Sequence, residues 1–211
     1  MRHDVQRIVK RTLDLVLAAI MIIILAPLCI VCAAAIKLDD RGPVFFRQER
    51  IGKGGRAFFV WKLRTMVIDA AHKGLGHTVS HDDARITRVG RLLRSFGIDE
   101  LPQLLNVLAG DMSLVGPRPT LAYQVAHYDT FQRRRLEVKP GITSLAVVSG
   151  RNALSWEERI RLDVWYADHR SLRLDLSILF RTLWKVLVTR EGLYGSDGVN
   201  DPFVDLSERD E

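Results

Sequence analysis

Cysteine is nearly absent. The chain of 211 residues holds two, Cys29 and Cys32. Without a second CxxC pair there is no four-cysteine zinc site, and two thiols cannot make a disulfide framework. Both fall inside an apolar stretch, where cysteine reads as small apolar filler. Internal repeats are missing too, which excludes a repeat architecture. Charge is missing from Leu15 to Ile36, a run of 22 residues. At about 1.5 Å per helical residue such a run can cross a bilayer core of roughly 30 Å. A signal peptide would have an apolar core of roughly 7–15 residues and a small-residue cleavage site. This run instead passes straight into Lys37, Asp39 and Asp40.

The flanks of the run carry its topology. Arg2, Arg7, Lys10 and Arg11 precede it; Lys37, Arg41, Arg47, Arg50 and Lys53 follow it. Positive residues mark cytoplasmic flanks, so both ends read as cytoplasmic. Pro27 lies mid-run and supplies a bend, because it lacks an N–H and crowds the preceding turn. From the flanks alone, a re-entrant helix and a tilted span with a tolerated proline both fit.

The formal charge is +6 and 47% of residues are hydrophobic. A basic surface suits anionic headgroups, phosphates or nucleic acid, so charge alone does not choose among them. The chain divides into a basic lead-in and membrane helix (1–38), a cytoplasmic catalytic domain (39–191) and a polar, flexible tail (192–211). Gly42-Pro43 marks a turn. Residues 44–46 and 57–61, with three glycines between, predict a β-hairpin. The Asp69–Asp83 stretch reads as a mobile loop. Helices are predicted over 85–96, ended by Gly97, and from after Ile98 through Leu108. Gly116-Pro117-Arg118-Pro119 predicts a rigid extended loop. Residues 121–138 read as helical and 142–149 as strand-like. Ser155 with Glu158 is a capping box for a helix over 156–169. Residues 173–190 are amphipathic, fitting either a membrane-surface helix or a packed domain helix.

The candidate chemistry centres on Asp99 and Glu100. Adjacent carboxylates at a helix start are ordinarily first-turn acids favoured by the helix dipole. Here Lys62, Arg64, Arg91, Arg94, Arg118 and Arg151 lie in or beside breaks between elements, where they could converge. Guanidinium forks match phosphate oxygens. Two carboxylates beside such a cluster make sense if Mg²⁺ also binds, since it takes one or two carboxylates plus substrate phosphates. One carboxylate can then attack phosphorus.

Several strings together resemble one family. They are Gly42-Pro43-Val44-Phe45-Phe46-Arg47-Gln48-Glu49-Arg50-Ile51-Gly52, Lys62-Leu63-Arg64-Thr65-Met66, Thr87 through Arg94, and Asp99-Glu100-Leu101-Pro102-Gln103-Leu104. Gly116 to Pro119, Lys139 to Thr143 and Gly150-Arg151-Asn152 complete the set. From about Lys10 to Leu187 the chain is similar to the bacterial sugar transferases known as monotopic phosphoglycosyl transferases, in the minimal form of the campylobacter N-glycan enzymes. The resemblance implies an α+β, mostly helical fold with a re-entrant N-terminal membrane helix bent at Pro27, a small β-hairpin and interfacial amphipathic helices. It implies transfer of a sugar 1-phosphate from a UDP-sugar to polyprenyl (undecaprenyl) phosphate, with release of UMP, to initiate surface-glycan assembly. Asp99 would be the nucleophile of a covalent phosphosugar intermediate, and Glu100 would serve the Mg²⁺ site with it. Arg94, Arg118 and Arg151 fall on the family's phosphate-binding arginines; Lys62 and Arg64 join them from the convergence above. The implied location is the cytoplasmic face of the bacterial inner membrane, with both termini cytoplasmic.

The chain departs from the family pattern at Ser144, Val147 and Ser149, beside Arg151. These changes bear on sugar or nucleotide recognition rather than on the dyad. The apolar run and residues 173–190 both offer surfaces for a homodimer. A competing reading, a membrane-anchored nucleic-acid binder with a helix-turn-helix at 85–108, leaves the dyad and the Gly-Pro-Arg-Pro loop unexplained. A non-catalytic membrane scaffold leaves Asp99 and Glu100 idle. No nucleic-acid partner is therefore expected.

Overall fold

The computed structural model describes residues 2–68, 70, 83–150 and 153–186. The lead-in and the apolar run form one helix, α1 (Arg2–Asp40), of 39 residues and about 58 Å. Pro27 lies inside it on an exposed position, and the helix continues through it. The helix is long and apolar enough to cross a membrane.

Both ends of the apolar run are fastened to the same domain. At the start, Lys10 donates to Asp175 (2.7 Å), and Arg11 donates to the carbonyls of Val107 (2.6 Å) and Leu108 (3.1 Å). Asp14 accepts from the Ser113 hydroxyl (2.8 Å) and the Leu114 amide (3.2 Å). Ala18 is fully buried in the main core, with Leu17, Ile22 and Leu25 packed against it. Near the end, Cys32 and Ile36 close a smaller core with Leu63 and Leu93. Asp40 pairs with Arg64, and Asp39 accepts from the Val89 amide. Cys32 is thus the small apolar filler expected of it. Away from the domain, Val16, Ile20, Ile23, Ile24, Ile30 and Val31 remain exposed.

The hairpin is longer than expected: β1 (Phe45–Ile51) pairs antiparallel with β2 (Ala57–Leu63), Phe45 opposite Leu63 and Ile51 opposite Ala57. Alternation sends Val60 into the core and Lys62 toward the dyad, while Phe45, Arg47 and Phe59 point outward. A second pair is parallel, β3 (Ser113–Val115) with β4 (Gly141–Thr143). It depends on two glycines, because a Cβ on Gly141 would lie 2.1 Å from the Gly116 nitrogen.

Helices make up most of the rest. The helix expected over 85–96 starts later, as α2 (Arg88–Phe96), because Thr87 caps it by accepting from the Gly90 amide while Arg85 turns back to pair with Asp83. Gly97 ends it at φ 68. The helix expected from after Ile98 through Leu108 is broken. Residues Ile98–Glu100 form a 3₁₀ turn, and α3 (Gln103–Ala109) follows. Pro102 has no N–H to continue an α-helix from one into the other. The 121–138 helix splits into α4 (Ala122–Ala126), α5 (Thr130–Arg133) and a 3₁₀ turn, with Asp129 capping the restart. The strand expected over 142–149 stops at Thr143. Buried Ser144 accepts from the Val147 amide and starts α6 (Leu145–Ser149).

The capping box predicted α7 (Trp156–His169) to the residue: Ser155 and Glu158 satisfy each other's backbone amides. In α8 (Leu172–Trp184), Ile178 is fully buried and Leu174 and Leu179 pack on the core. Leu176, Phe180, Leu183 and Trp184 stand exposed on another face, so α8 is apolar on two sides. The Asp69–Asp83 loop, apart from Ala70 and Asp83, and the tail from 192 lie outside the described residues.

Candidate active site

The broken helix positions the dyad. Gly97 and Pro102 bracket a short turn, which places Asp99 and Glu100 between α2 and α3 rather than in the first turn of a longer helix. Both carboxylates are buried, at 2% and 6% exposed. Burying two adjacent acids is costly unless cations compensate.

The compensation is uneven. Glu100 accepts from Lys62 (3.0 Å), on β2, and from both terminal nitrogens of Arg118 (2.5 and 3.2 Å), in the extended loop. Burial alone would raise its pKa, but these two cations hold it well below the usual carboxylate range. Asp99 has no such partner: its Oδ1 is buried with no hydrogen bond among the described residues. Burial, then the neighbouring Glu100 charge, pushes Asp99 up to about 6, against the pull of Lys62, Arg94 and Arg118. Opposite pushes on paired carboxylates are the pattern that assigns them different tasks.

Arg94 reaches this region from α2, its Nε donating to the Thr65 hydroxyl at 2.8 Å. The close approach of α2 depends on Gly90, where a Cβ would sit 2.0 Å from the Thr65 carbonyl oxygen. Lys62, Arg94 and Arg118 therefore lie around the dyad. Arg64 does not join them. It is buried against Asp40 at the end of α1, over Gly42, so it ties the membrane helix to the domain. Arg91 stands exposed on α2. Arg151 lies outside the described residues.

Three supporting residues carried no strong sequence signal. Buried Asn106 accepts from the Trp61 amide (3.1 Å) and donates to the Phe59 carbonyl (2.7 Å), clamping α3 to one edge of β2, the strand that carries Lys62. Its only clue is a polar residue amid the apolar positions of Leu104 to Leu108. Arg135 and Asp163 form a buried ion pair, and Arg135 also holds the Arg118 carbonyl (3.0 Å) and the Tyr128 hydroxyl (2.6 Å). This pair fixes the backbone from which Arg118 reaches Glu100. No local pattern links positions 28 residues apart.

No cluster of three His, Cys, Asp or Glu side chains occurs among the described residues. Asp99, whose Oδ1 has no partner among the described residues, and the adjacent Glu100 are the residues that would hold a hard divalent cation.

A sequence model of the bacterial sugar transferase family matches residues 5–189. The chain belongs to this family. Relatives of the sugar transferase include EpsL of Bacillus subtilis strain 168, named as an uncharacterized sugar transferase. It is 47% identical, over 91% of this chain and 93% of that protein. The UDP-glucose:undecaprenyl-phosphate glucose-1-phosphate transferase of Caulobacter vibrioides is 45% identical, over 85% of this chain and 70% of that protein. The undecaprenyl-phosphate galactose phosphotransferase of Salmonella typhimurium is 38% identical, over 89% of this chain but 42% of that longer protein. The names of the last two carry different sugars on one lipid acceptor, so family membership defines a phosphate chemistry and leaves the sugar open.

Proposed function

We propose that this sugar transferase moves a sugar 1-phosphate from a UDP-sugar to polyprenyl phosphate, in the first instance undecaprenyl phosphate, and so begins the assembly of a surface glycan or glycoconjugate. One observation carries the reading: of two buried adjacent carboxylates, Glu100 is neutralised by Lys62 and Arg118, while Asp99 keeps an oxygen without a partner among the described residues.

That asymmetry suits nucleophilic catalysis. The Asp99 carboxylate attacks the phosphorus that bears the sugar; the bond to the bridging oxygen breaks and UMP leaves with the electron pair. An oxygen of polyprenyl phosphate then attacks the same phosphorus, forming the lipid-linked sugar diphosphate and returning Asp99 to its carboxylate. Because the acyl phosphate holds the sugar in between, two dissimilar substrates use one site in turn. Lys62, Arg94 and Arg118 supply positive charge where charge builds on the phosphoryl oxygens. Asp99 and Glu100 would hold Mg²⁺, which when bound offsets pyrophosphate charge and supports the departure of UMP.

The anchor reading rests on the contacts of α1. Lys10, Arg11 and Asp14 dock before the apolar run, and Ile36, Asp39 and Asp40 dock at its end, all on one domain. A straight span would require that polar domain to reach both faces of the bilayer. A helix that enters and returns keeps both docking points, and both termini, on the cytoplasmic face of the inner membrane. The exposed stripe of α8 supports placing that helix at the interface.

Membranes carrying the wild type, incubated with radiolabelled UDP-sugars, undecaprenyl phosphate and Mg²⁺, are expected to yield lipid-linked product, and Asp99→Asn none. Folded wild type that gives no product across a broad donor panel would refute the reading. Labelling of single cysteines at the two termini from opposite sides of the membrane would refute the topology.

A further inference from the structure

The far end of α3 from the dyad gathers cations that the proposed chemistry does not use. Gly110 ends α3 at φ 98. A Cβ placed there would lie 3.4 Å from Arg11 Nη2 and 3.7 Å from Lys139 Nζ. The two cationic nitrogens therefore stand within about 7 Å of each other, a gap that one phosphate group spans with charge-assisted hydrogen bonds of about 2.8 Å.

Their local partners differ. Arg11 spends two N–H groups on the last carbonyls of α3, from Val107 and Leu108. Lys139 has no hydrogen bond or ion pair from its ammonium among the described residues. It is half-buried, with Lys53 adding like charge nearby. The facing acids are Asp14, committed to Ser113 and Leu114, and Asp111, which is exposed; Lys10 is taken by Asp175. Burial and then the Arg11 charge hold the Lys139 ammonium below its usual range. The dipole at the end of α3 favours a cation there, but Arg11 already satisfies those carbonyls. Two converging cations, one unpartnered, call for an anion.

The position on α1 says which anion. Arg11 lies four residues before Leu15, where the uncharged run begins. With α1 placed in the membrane as proposed, the pair lies at the water-facing end of the apolar run, at headgroup depth. We propose that Arg11 and Lys139 seat the headgroup phosphate of an anionic phospholipid of the surrounding membrane. This rests on the membrane placement of α1 and is independent of the transferase chemistry.

The test uses the full chain in nanodiscs of phosphatidylcholine, alone or mixed with phosphatidylglycerol, followed by thermal unfolding. Phosphatidylglycerol is expected to raise the wild-type midpoint by several degrees. Lys139→Gln should lose at least half of that increment and Lys139→Arg should keep it. Arg173→Gln, which removes a charge from an exposed position on α8, should also keep it. Inorganic phosphate added to phosphatidylcholine discs should leave the midpoint unchanged. The proposal is overturned if Lys139→Gln retains the full increment, if Arg173→Gln loses as much, or if free phosphate reproduces it. An equal drop for Lys139→Gln in both disc types would also overturn it, because phosphatidylcholine carries the same phosphodiester and the site would then show no preference for an anionic phospholipid. One readout needs no variant: native mass spectrometry of wild type released from mixed discs should show phosphatidylglycerol retained several-fold over phosphatidylcholine, and equal retention overturns the proposal. Failure of the wild type to enter neutral discs would instead refute the membrane placement.

Discussion

Asp99→Asn is expected to make the protein inactive and more stable at once. The folded pKa of Asp99 is raised from 3.8 to about 6. A raised acid pKa means that ionisation is harder in the fold than in the unfolded chain. Below about pH 4 both states hold the proton and no penalty exists; it grows as pH rises toward 6 and is complete above that. A shift of about two units at about 1.4 kcal/mol each sets the full penalty near 3 kcal/mol. Asparagine has nearly the same shape and no charge to bury, so the variant escapes this penalty. For a chain of this size, about 3 kcal/mol corresponds to roughly 6–12 °C in Tm.

The assay is thermal unfolding of both proteins in the same discs at pH 5 and pH 8. The variant should exceed the wild type at pH 8 by that margin and by clearly less at pH 5. In parallel, trapping of radiolabelled sugar phosphate on the wild type should weaken as pH falls through about 6, and the variant should trap none. A variant no more stable than wild type at pH 8, or a difference that ignores pH, would show that Asp99 is not a strained, desolvated carboxylate. A covalent adduct that survives in the variant would move the nucleophile elsewhere.

Three further outcomes follow from the supports of the site. Asn106→Leu leaves the Trp61 amide and the Phe59 carbonyl without their partner; a loss of about 2–4 kcal/mol is expected in denaturant unfolding, with lipid-linked product formation falling as Lys62 loses its position. Arg135→Met strands the buried Asp163 carboxylate and should cost about 3–5 kcal/mol, whereas the double variant Arg135→Met/Asp163→Leu should recover much of it. Gly90→Ala drives a methyl into the Thr65 carbonyl and should displace α2, weakening donor binding through Arg94; an unchanged KM for the UDP-sugar would refute that route.

The sequence disclosed most where the signal is local. A capping box at Ser155 and Glu158 gave α7 its start, and β-prone runs on either side of three glycines gave the hairpin. It was misleading where neighbouring caps compete. Apolar residues at 98–108 have helical spacing, yet Gly97 and Pro102 cut out a 3₁₀ turn; that turn is what presents the dyad. At Ser144, a hydroxyl able to cap ends a strand after three residues. Within the site, Lys62, Arg94 and Arg118 were legible as cations in motifs, but Arg64 carried the same signal and pairs with Asp40 instead. Motif membership reveals that a cation matters, not which carboxylate claims it. Asn106, Arg135 and Asp163 were illegible because each acts through a contact between distant segments.

Arg64 also shows why anchor and site form one mechanical unit. It follows Lys62 by two residues at the end of β2; Lys62 holds Glu100 while Arg64 holds Asp40, the last residue of α1. Leu63, between them, packs on Cys32 and Ile36 of that helix. Three consecutive residues thus join the dyad to the membrane helix, too short a link for the two to move independently. Under the proposed function a soluble nucleotide and a lipid phosphate meet at one carboxylate, which would then need a fixed height above the bilayer. A flexible tether would give membrane residence without fixing the height, whereas a strand wedged between helix and dyad gives both.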